Sequence, residues 1–306
     1  LVPPSSGTDG RYITLPTGPT TMLSTDFSRF SYNIASSIPN TAPGIFSQAD
    51  RTVVKGVLEY PTITPGYYIR PKLSFQSNTY SATAYQAGYL PAQGFLIPTA
   101  SLDTGLAFER DALEMGSFFG QNMLLSLEPR ALYVYTPYVN QANTPLFDTA
   151  DAGFGISQIF SENTFIGNDR VSDSNKLTAG LTSRITESNT GAERAVITIA
   201  QQQQFKAQQV GLTGNIANPT AYSDTLAAAS VRLMGNFNAD VFGQYNTQLN
   251  RFVQTTVGGS WRPTPGRSLN FGYRNVWQPP IQATPAATTG VGPNPRARRP
   301  RTGRCR

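Results

Sequence analysis

Residues 66–78, GYYIRPKLSFQSN, alternate along almost their whole length. Tyr67, Ile69, Leu73 and Phe75 fall on one parity; Tyr68, Arg70, Lys72, Ser74, Gln76 and Asn78 fall on the other. Successive side chains of a strand point to opposite faces, so this is a ribbon with one apolar and one polar face. The same period predicts eleven strands, near 20–32, 51–60, 67–80, 101–112, 121–136, 175–187, 192–206, 224–235, 238–247, 250–262 and 268–277. Helical periodicity is weak throughout. The Ala-rich TLAAAS at 225–230 reads as strand because the VRLMGNFNADVF that flanks it alternates. Pro71 and Pro129 fall inside strands, where they imply a weakened or bulged ladder.

Alternation alone favours a soluble sheet, which shows the same period. Three further features turn the reading toward a membrane. Several segments exceed the usual soluble strand of about 5–6 residues and suit a tilted membrane strand of about 9–11. Connections at 61–66, 113–120, 188–191, 236–237 and 263–267 are short, whereas those at 33–50, 81–100, 137–174 and 207–223 are long. The two kinds alternate, broken only near 247–250, as outer-membrane barrels alternate periplasmic turns with external loops. Charges also keep to one parity: Lys55 with Glu59, Arg70 with Lys72, Asp103 with Glu109, Glu128 with Arg130, Lys176 with Arg184. The opposite parity carries Val54, Leu58, Leu102, Leu106, Leu127, Tyr133, Leu177 and Leu181, and no charge stands clearly among them. Only 250–262 is ambiguous on both faces. Tyr60, Tyr67, Tyr133, Tyr135, Tyr245 and Trp277, near strand ends, suit an interfacial girdle.

Composition agrees and removes alternatives. Only 14% of the 306 residues are charged. Six of the 24 basic residues lie between Arg296 and Arg306, and the remaining 18 balance the 18 acids. The excess of +6 therefore belongs to the tail and gives no reason to expect a nucleic-acid partner. No run approaches the roughly 18 apolar residues of a spanning helix, so a membrane would have to be crossed by a closed barrel. Histidine is absent and Cys305 is the single cysteine. Cys/His zinc sites and Ser-His-Asp or Cys-His catalysis lack their residues, no cofactor is implied, and nothing points to an enzyme. The opening LVPPSS has neither an initiating Met nor a signal segment, and is expected to continue something longer. GFGISQ, inside the 137–174 connection, lacks the strand and helix of a dinucleotide site. Glu128 and Arg130, two apart on one face, are expected to form a lumenal ion pair.

The block EPRALYVYTPYVNQANTPLFD at 128–148 and ISQIFSENTFIGNDRVSDSNKLTAGLTSR at 156–184 resembles the LPS-assembly protein LptD family of Gram-negative outer membranes. The matching pieces are LEPR, YVxxPYxxQ, FDTA, SQIF, F-x-G-x-DR and N-x-L-x-x-G-L-T-S-R. FER at 108–110 and GYYIRPKL at 66–73 also resemble that family, and the likeness extends over residues 20–277. It implies an all-β, antiparallel transmembrane barrel of the outer-membrane type, here an incomplete set of about eleven strands. On this reading residues 1–278 belong to the barrel and 279–306 form a Pro/Ala/Arg-rich disordered tail. A truncated or frame-shifted copy accounts for that ending; a genuine basic extension is the alternative. The resemblance further implies lipopolysaccharide and outer-membrane lipids as partners, and an LptE-like lipoprotein plugging the lumen. No residue matches that family's jellyroll, lateral gate or adjacent cysteine pair. Arg70, Lys72, Glu128, Arg130, Lys176 and Arg184 become lumen-facing candidates for contact with lipopolysaccharide or the plug. The cations among them would meet phosphate or a partner's acids, or instead neutralise Glu59, Asp103, Glu109 and Glu128 on adjoining strands. A porin-like diffusion channel and a soluble β-sheet binding module are the competing readings.

Overall fold

Segments that alternate with period two satisfy their backbone groups only by pairing edge to edge, and here they pair in chain order. The computed structural model describes residues 11–14, 19–31, 48–82, 94–112, 122–141, 144–153, 155–212, 224–233, 236–247 and 249–277. The strands are β1 (Arg11–Thr14), β2 (Thr20–Ser31), β3 (Gln48–Glu59), β4 (Thr62–Ile63), β5 (Tyr67–Ala82), β6 (Phe95–Leu106), β7 (Phe108–Asp111) and β8 (Met123–Thr136). They continue as β9 (Ala150–Asp151), β10 (Phe165–Ile166), β11 (Ser174–Glu187), β12 (Glu193–Gln204), β13 (Asp224–Leu233), β14 (Phe237–Asn246), β15 (Arg251–Thr264) and β16 (Arg267–Val276). All but β9 and β10 form one antiparallel sheet of 14 strands, in which β4 extends β3 and β7 extends β6 along the same ladders. The edges, β1 and β16, are not paired with each other among the described residues. This is the wall of an outer-membrane-type barrel, incomplete as expected. Residues 277–306 form a separate unit that, beyond Trp277, lies outside the described residues.

All eleven expected strands are present. β1 is an addition, and β6 begins at Phe95, inside the stretch 81–100 that the sequence pattern assigns to a connection. Pro98 obscured that start. Its missing N–H costs nothing, because β8 pairs with β6 only from Ala100 onward. Pro71 and Pro129 interrupt the ladders without shifting register. Opposite Pro71, the break between β3 and β4 falls at Tyr60–Pro61, and Glu59↔Lys72 and Thr62↔Ile69 keep one register on either side. Opposite Pro129, the ladder breaks at Leu106–Ala107, and Gly105↔Arg130 and Phe108↔Leu127 keep one register on either side.

Burial decides which face meets which solvent. On β5, Ile69, Leu73 and Phe75 are exposed, Leu73 to 59%, while Lys72, Ser74 and Gln76 are partly covered and Asn78 is buried. Leu23, Phe27, Leu58, Leu102, Leu127, Leu177, Leu181, Ile197 and Ile199 are likewise exposed on neighbouring strands. Arg51, Lys176, Thr178 and Gln202 are buried on the opposite face. This inversion suits a wall with hydrocarbon outside and a polar interior, and it excludes the soluble sheet. Tyr60 and Tyr67 face outward at the short-turn end, and Tyr133 and Tyr135 at the long-loop end.

Outward charges correct the sequence reading, Arg110 on the Leu106–Phe108 parity and Arg29 among them. Arg29 lies on the Leu23–Phe27 parity, where its Nε and Nη2 donate to Asp50 at 2.6 and 3.0 Å. The pair stands two residues from the ends of β2 and β3, at the long-loop edge, where a charge does not sit in hydrocarbon. The ambiguous strand 250–262 also resolves. Gln244 pairs Gln254 but Tyr245 pairs Phe252, so Val253 is an extra residue. Such a bulge switches the outward parity from Phe252 before it to Val257 and Trp261 after it.

Candidate functional site

The polar face encloses part of its own chain. The connection 137–173 leaves β8 at the long-loop end and folds back over the inner wall, carrying the β9–β10 hairpin pair and a 3-10 turn at Gln158–Phe160. It touches the wall from β3, through Arg51, to β13, through Leu226, so the wall curves around it.

Its anchor is Arg51 with two acids of the loop. Arg51 is 1% exposed; Nη1 and Nη2 donate to the Asp148 carboxylate at 2.7 and 2.8 Å, and Nη1 also to Asp169 Oδ1 at 2.7 Å. Asp169 is fully buried, and its other oxygen accepts the backbone N–H groups of Phe147 at 2.7 Å and Asp148 at 2.9 Å. Arg170, beside it, donates to Thr144 Oγ1 at 2.6 Å and to the carbonyls of Thr144 and Pro145. Gly167 is required within the same turn. Its φ is +89°, and a Cβ there would meet the Asp148 carbonyl and the Thr149 hydroxyl. On the wall, Asn78 Nδ2 and Gln76 Nε2 donate to the Asn168 carbonyl at 2.6 and 2.9 Å, and Tyr80 donates to Asp169 at 3.3 Å.

A second contact is apolar. Ile159 of the 3-10 turn packs against Ala200 and Leu226, with Phe160 and Phe242 at the margin. Thr178 Oγ1 donates to the Ile159 carbonyl at 3.1 Å, and the Phe160 ring lies over Gly180, where a Cβ would come within 2.7 Å of it. Gly180→Val is therefore expected to push Phe160 out of its socket. Fluorescence of a Phe160→Trp reporter should shift toward the water-exposed range, and an unchanged spectrum would count against this docking.

Asp148 connects the anchor to pH. Burial pushes its carboxyl up, but the bonds and charge of Arg51 outweigh this and hold it below the ordinary carboxylate range. A depressed folded-state pKa gives stability that is present above the unfolded value and disappears as pH falls through the folded one. Hydrogen-exchange protection at Phe147 and Asp148 should thus be level from pH 7 to 5 and fall only below about pH 4, the unfolded aspartate value. Loss already at pH 6 would contradict the anchor.

The six candidates all lie on the inner face, in different settings. Arg130 forms a forked pair with Asp103 at 3.0 and 2.8 Å and lies 4.4 Å from the Phe160 ring centre. Arg184 joins Glu128 at 3.2 Å and Glu193 at 2.6 Å, and Ser126 also donates to Glu128. The expected Glu128–Arg130 pair is therefore not made. In this register each residue has an opposite charge diagonally across a neighbouring strand and pairs there instead. Lys72 meets Glu162 of the loop at 2.9 Å rather than a strand acid. Arg70 stacks on Tyr68, 4.8 Å from the ring centre. Lys176 is 2% exposed and no hydrogen bond or ion pair joins it to a described residue. Arg70, Lys72 and Arg130 line one cavity of about 330 Å³; Glu128, Arg130 and Arg184 line another of about 410 Å³. Lys176 lines neither of these two.

The sequence reading did not single out Arg51, Asp148, Glu162, Asp169 or Arg170. The signal lies in the sequence: FDTA and F-x-G-x-DR, two of the motifs that carry the family resemblance, contain Asp148, Gly167, Asp169 and Arg170. Those motifs are the loop's own knot and its anchor to the wall.

Comparison with known proteins agrees with this architecture. The family model described as LPS transport system D matches residues 11–291. The chain is 41% identical over 271 residues to the LPS-assembly protein LptD of Cupriavidus pinatubonensis, covering 87% of this chain and 33% of that protein. It is 42% identical over 260 residues to the protein of the same name from Burkholderia pseudomallei, covering 83% and 31%. The match to the Ralstonia nicotianae protein is 37% over 254 residues, covering 82% and 30%. The chain thus spans about a third of the length of the curated relatives it matches. It belongs to the LptD family of LPS transport system D proteins.

Proposed function

We propose that this segment forms part of the channel wall through which lipopolysaccharide reaches the outer leaflet, and that loop 137–173 closes the polar interior between passages. The chain is an outer-membrane protein. The observation that supports the reading is the inverted wall with a hydrogen-bonded loop folded inside it. An amphipathic anionic molecule needs such a division, with a hydrated path for its sugars beside hydrocarbon for its acyl chains. Arg70, Lys72, Arg130, Lys176 and Arg184 would face the sugars and phosphates, and Glu128 would hold Arg184 in place. An LptE-like plug lipoprotein is the partner this reading expects in the rest of the lumen. No bond is made or broken, so the wall acts as a conduit rather than an enzyme, and the driving energy comes from elsewhere.

In-cell photo-crosslinking tests this. A photoreactive residue at Arg184 should capture lipopolysaccharide through its sugar portion, while one at outward Leu181 should capture only acyl chains. Capture of sugar at neither position would end the proposal. A porin-like channel instead predicts steady ion conductance in planar bilayers without a co-purifying lipoprotein, which the loop inside the lumen disfavours.

A further inference from the structure

Cross-strand register places Glu59, Lys72, Ser101, Val134, Lys176 and Gln204 on one rung of the inner wall, across β3, β5, β6, β8, β11 and β12. Lys72 and Lys176 stand three strands apart, about 14 Å at the usual spacing, so two extended lysine side chains can converge between them. What lies over that interval is a carboxylate of the loop. Glu162 accepts from Ser101 Oγ at 2.5 Å and from Lys72 Nζ at 2.9 Å. Lys176 itself is buried and unpartnered among the described residues, an expensive state for an ammonium group. The 330 Å³ cavity beside Glu162 exposes Arg70, which has no acid partner among the described residues, while Arg130 there is already matched by Asp103.

We infer that Glu162 occupies an oxyanion seat on the lumen wall, formed by Lys72, Ser101, Lys176 and Arg70, which takes a phosphate monoester of a passing saccharide once the loop withdraws. Charge selects the ligand. With Glu162 gone, Lys72, Lys176 and Arg70 face the seat and Glu59 shares the rung of the two lysines, leaving two positive charges. A single carboxylate offsets one of these, whereas a phosphate monoester carries about −1.5 to −2 at pH 7. The loop thus closes the path by imitating its cargo, and cargo and loop compete for one position. The inference rests on the proposed passage of lipopolysaccharide.

The test uses the full chain refolded in detergent, with glucose 6-phosphate as probe and binding followed by ³¹P NMR. Glucose and a glutamate-rich peptide serve as the other arms. Glu162→Gln should tighten glucose 6-phosphate binding at least tenfold by removing the competitor, and Lys176→Met should abolish it. Because Lys176→Met replaces an unpaired buried charge with an apolar chain of similar length, its heat-modifiable band should persist and show that it still folds. Weaker or unchanged binding in Glu162→Gln overturns the inference, as does equal binding of glucose or stronger binding of the peptide. If the seat fails while sugar capture at Arg184 persists, only the seat is lost; if both fail, the passage reading falls with it.

Discussion

Arg51→Met should release loop 137–173 from the lumen. The substitution keeps much of the side-chain volume but leaves Asp169, fully buried, without the cation 2.7 Å away. Removing one partner of a buried pair costs about 3–5 kcal/mol, because the remaining charge is stranded. Exchange protection at Phe147 and Asp148, whose N–H groups bond to Asp169, should collapse while the β5–β6 ladder stays protected. Conductance of the reconstituted chain should rise with it. If Arg51→Met alone leaves Phe147 and Asp148 as protected as before, the anchor has been misidentified.

The second large effect concerns two adjacent residues. Leu73→Arg sets a guanidinium on the outer face near the middle of β5, where a cation costs about 2–4 kcal/mol at the bilayer midplane. Ser74→Arg sets the same group on the inner face beside water and the loop, and should cost little. Urea unfolding in lipid vesicles should separate the two variants by that margin, with Leu73→Arg the weaker. A soluble sheet with an apolar core would also penalise Leu73→Arg, so the environment must be varied. In short-chain detergent micelles, which deform around a charge, the gap should narrow. A gap of unchanged size, or Ser74→Arg as the worse variant, would reverse the assignment of faces.

Strand positions were legible because period two is a local property. GYYIRPKLSFQSN states its two faces whatever surrounds it, and β5 follows it residue for residue. Loop lengths added the sorting of connections into two ends. Pattern failed where local rules were broken for a tertiary reason. The bulged residue Val253 switches parity within one strand, so residues 250–262 cannot be read with a single phase. Pro98 hides the start of β6, because whether its missing N–H matters depends on where the neighbouring strand ends.

The inner face divides along the same line. That Arg70, Lys72, Glu128, Arg130, Lys176 and Arg184 share the lumenal side follows from parity alone. Which of them are neutralised does not, since Arg130–Asp103 and Arg184–Glu128 depend on register between strands and Lys72–Glu162 on a loop returning from 90 residues away. The amino-acid order by itself determined a membrane wall with its strands, faces and sorted connections, because alternation and length are written residue by residue. Only the tertiary structure decided that the wall holds its own loop and that Arg51 anchors it. It alone left Lys176 buried without a partner among the described residues, because those contacts join segments that no local pattern links.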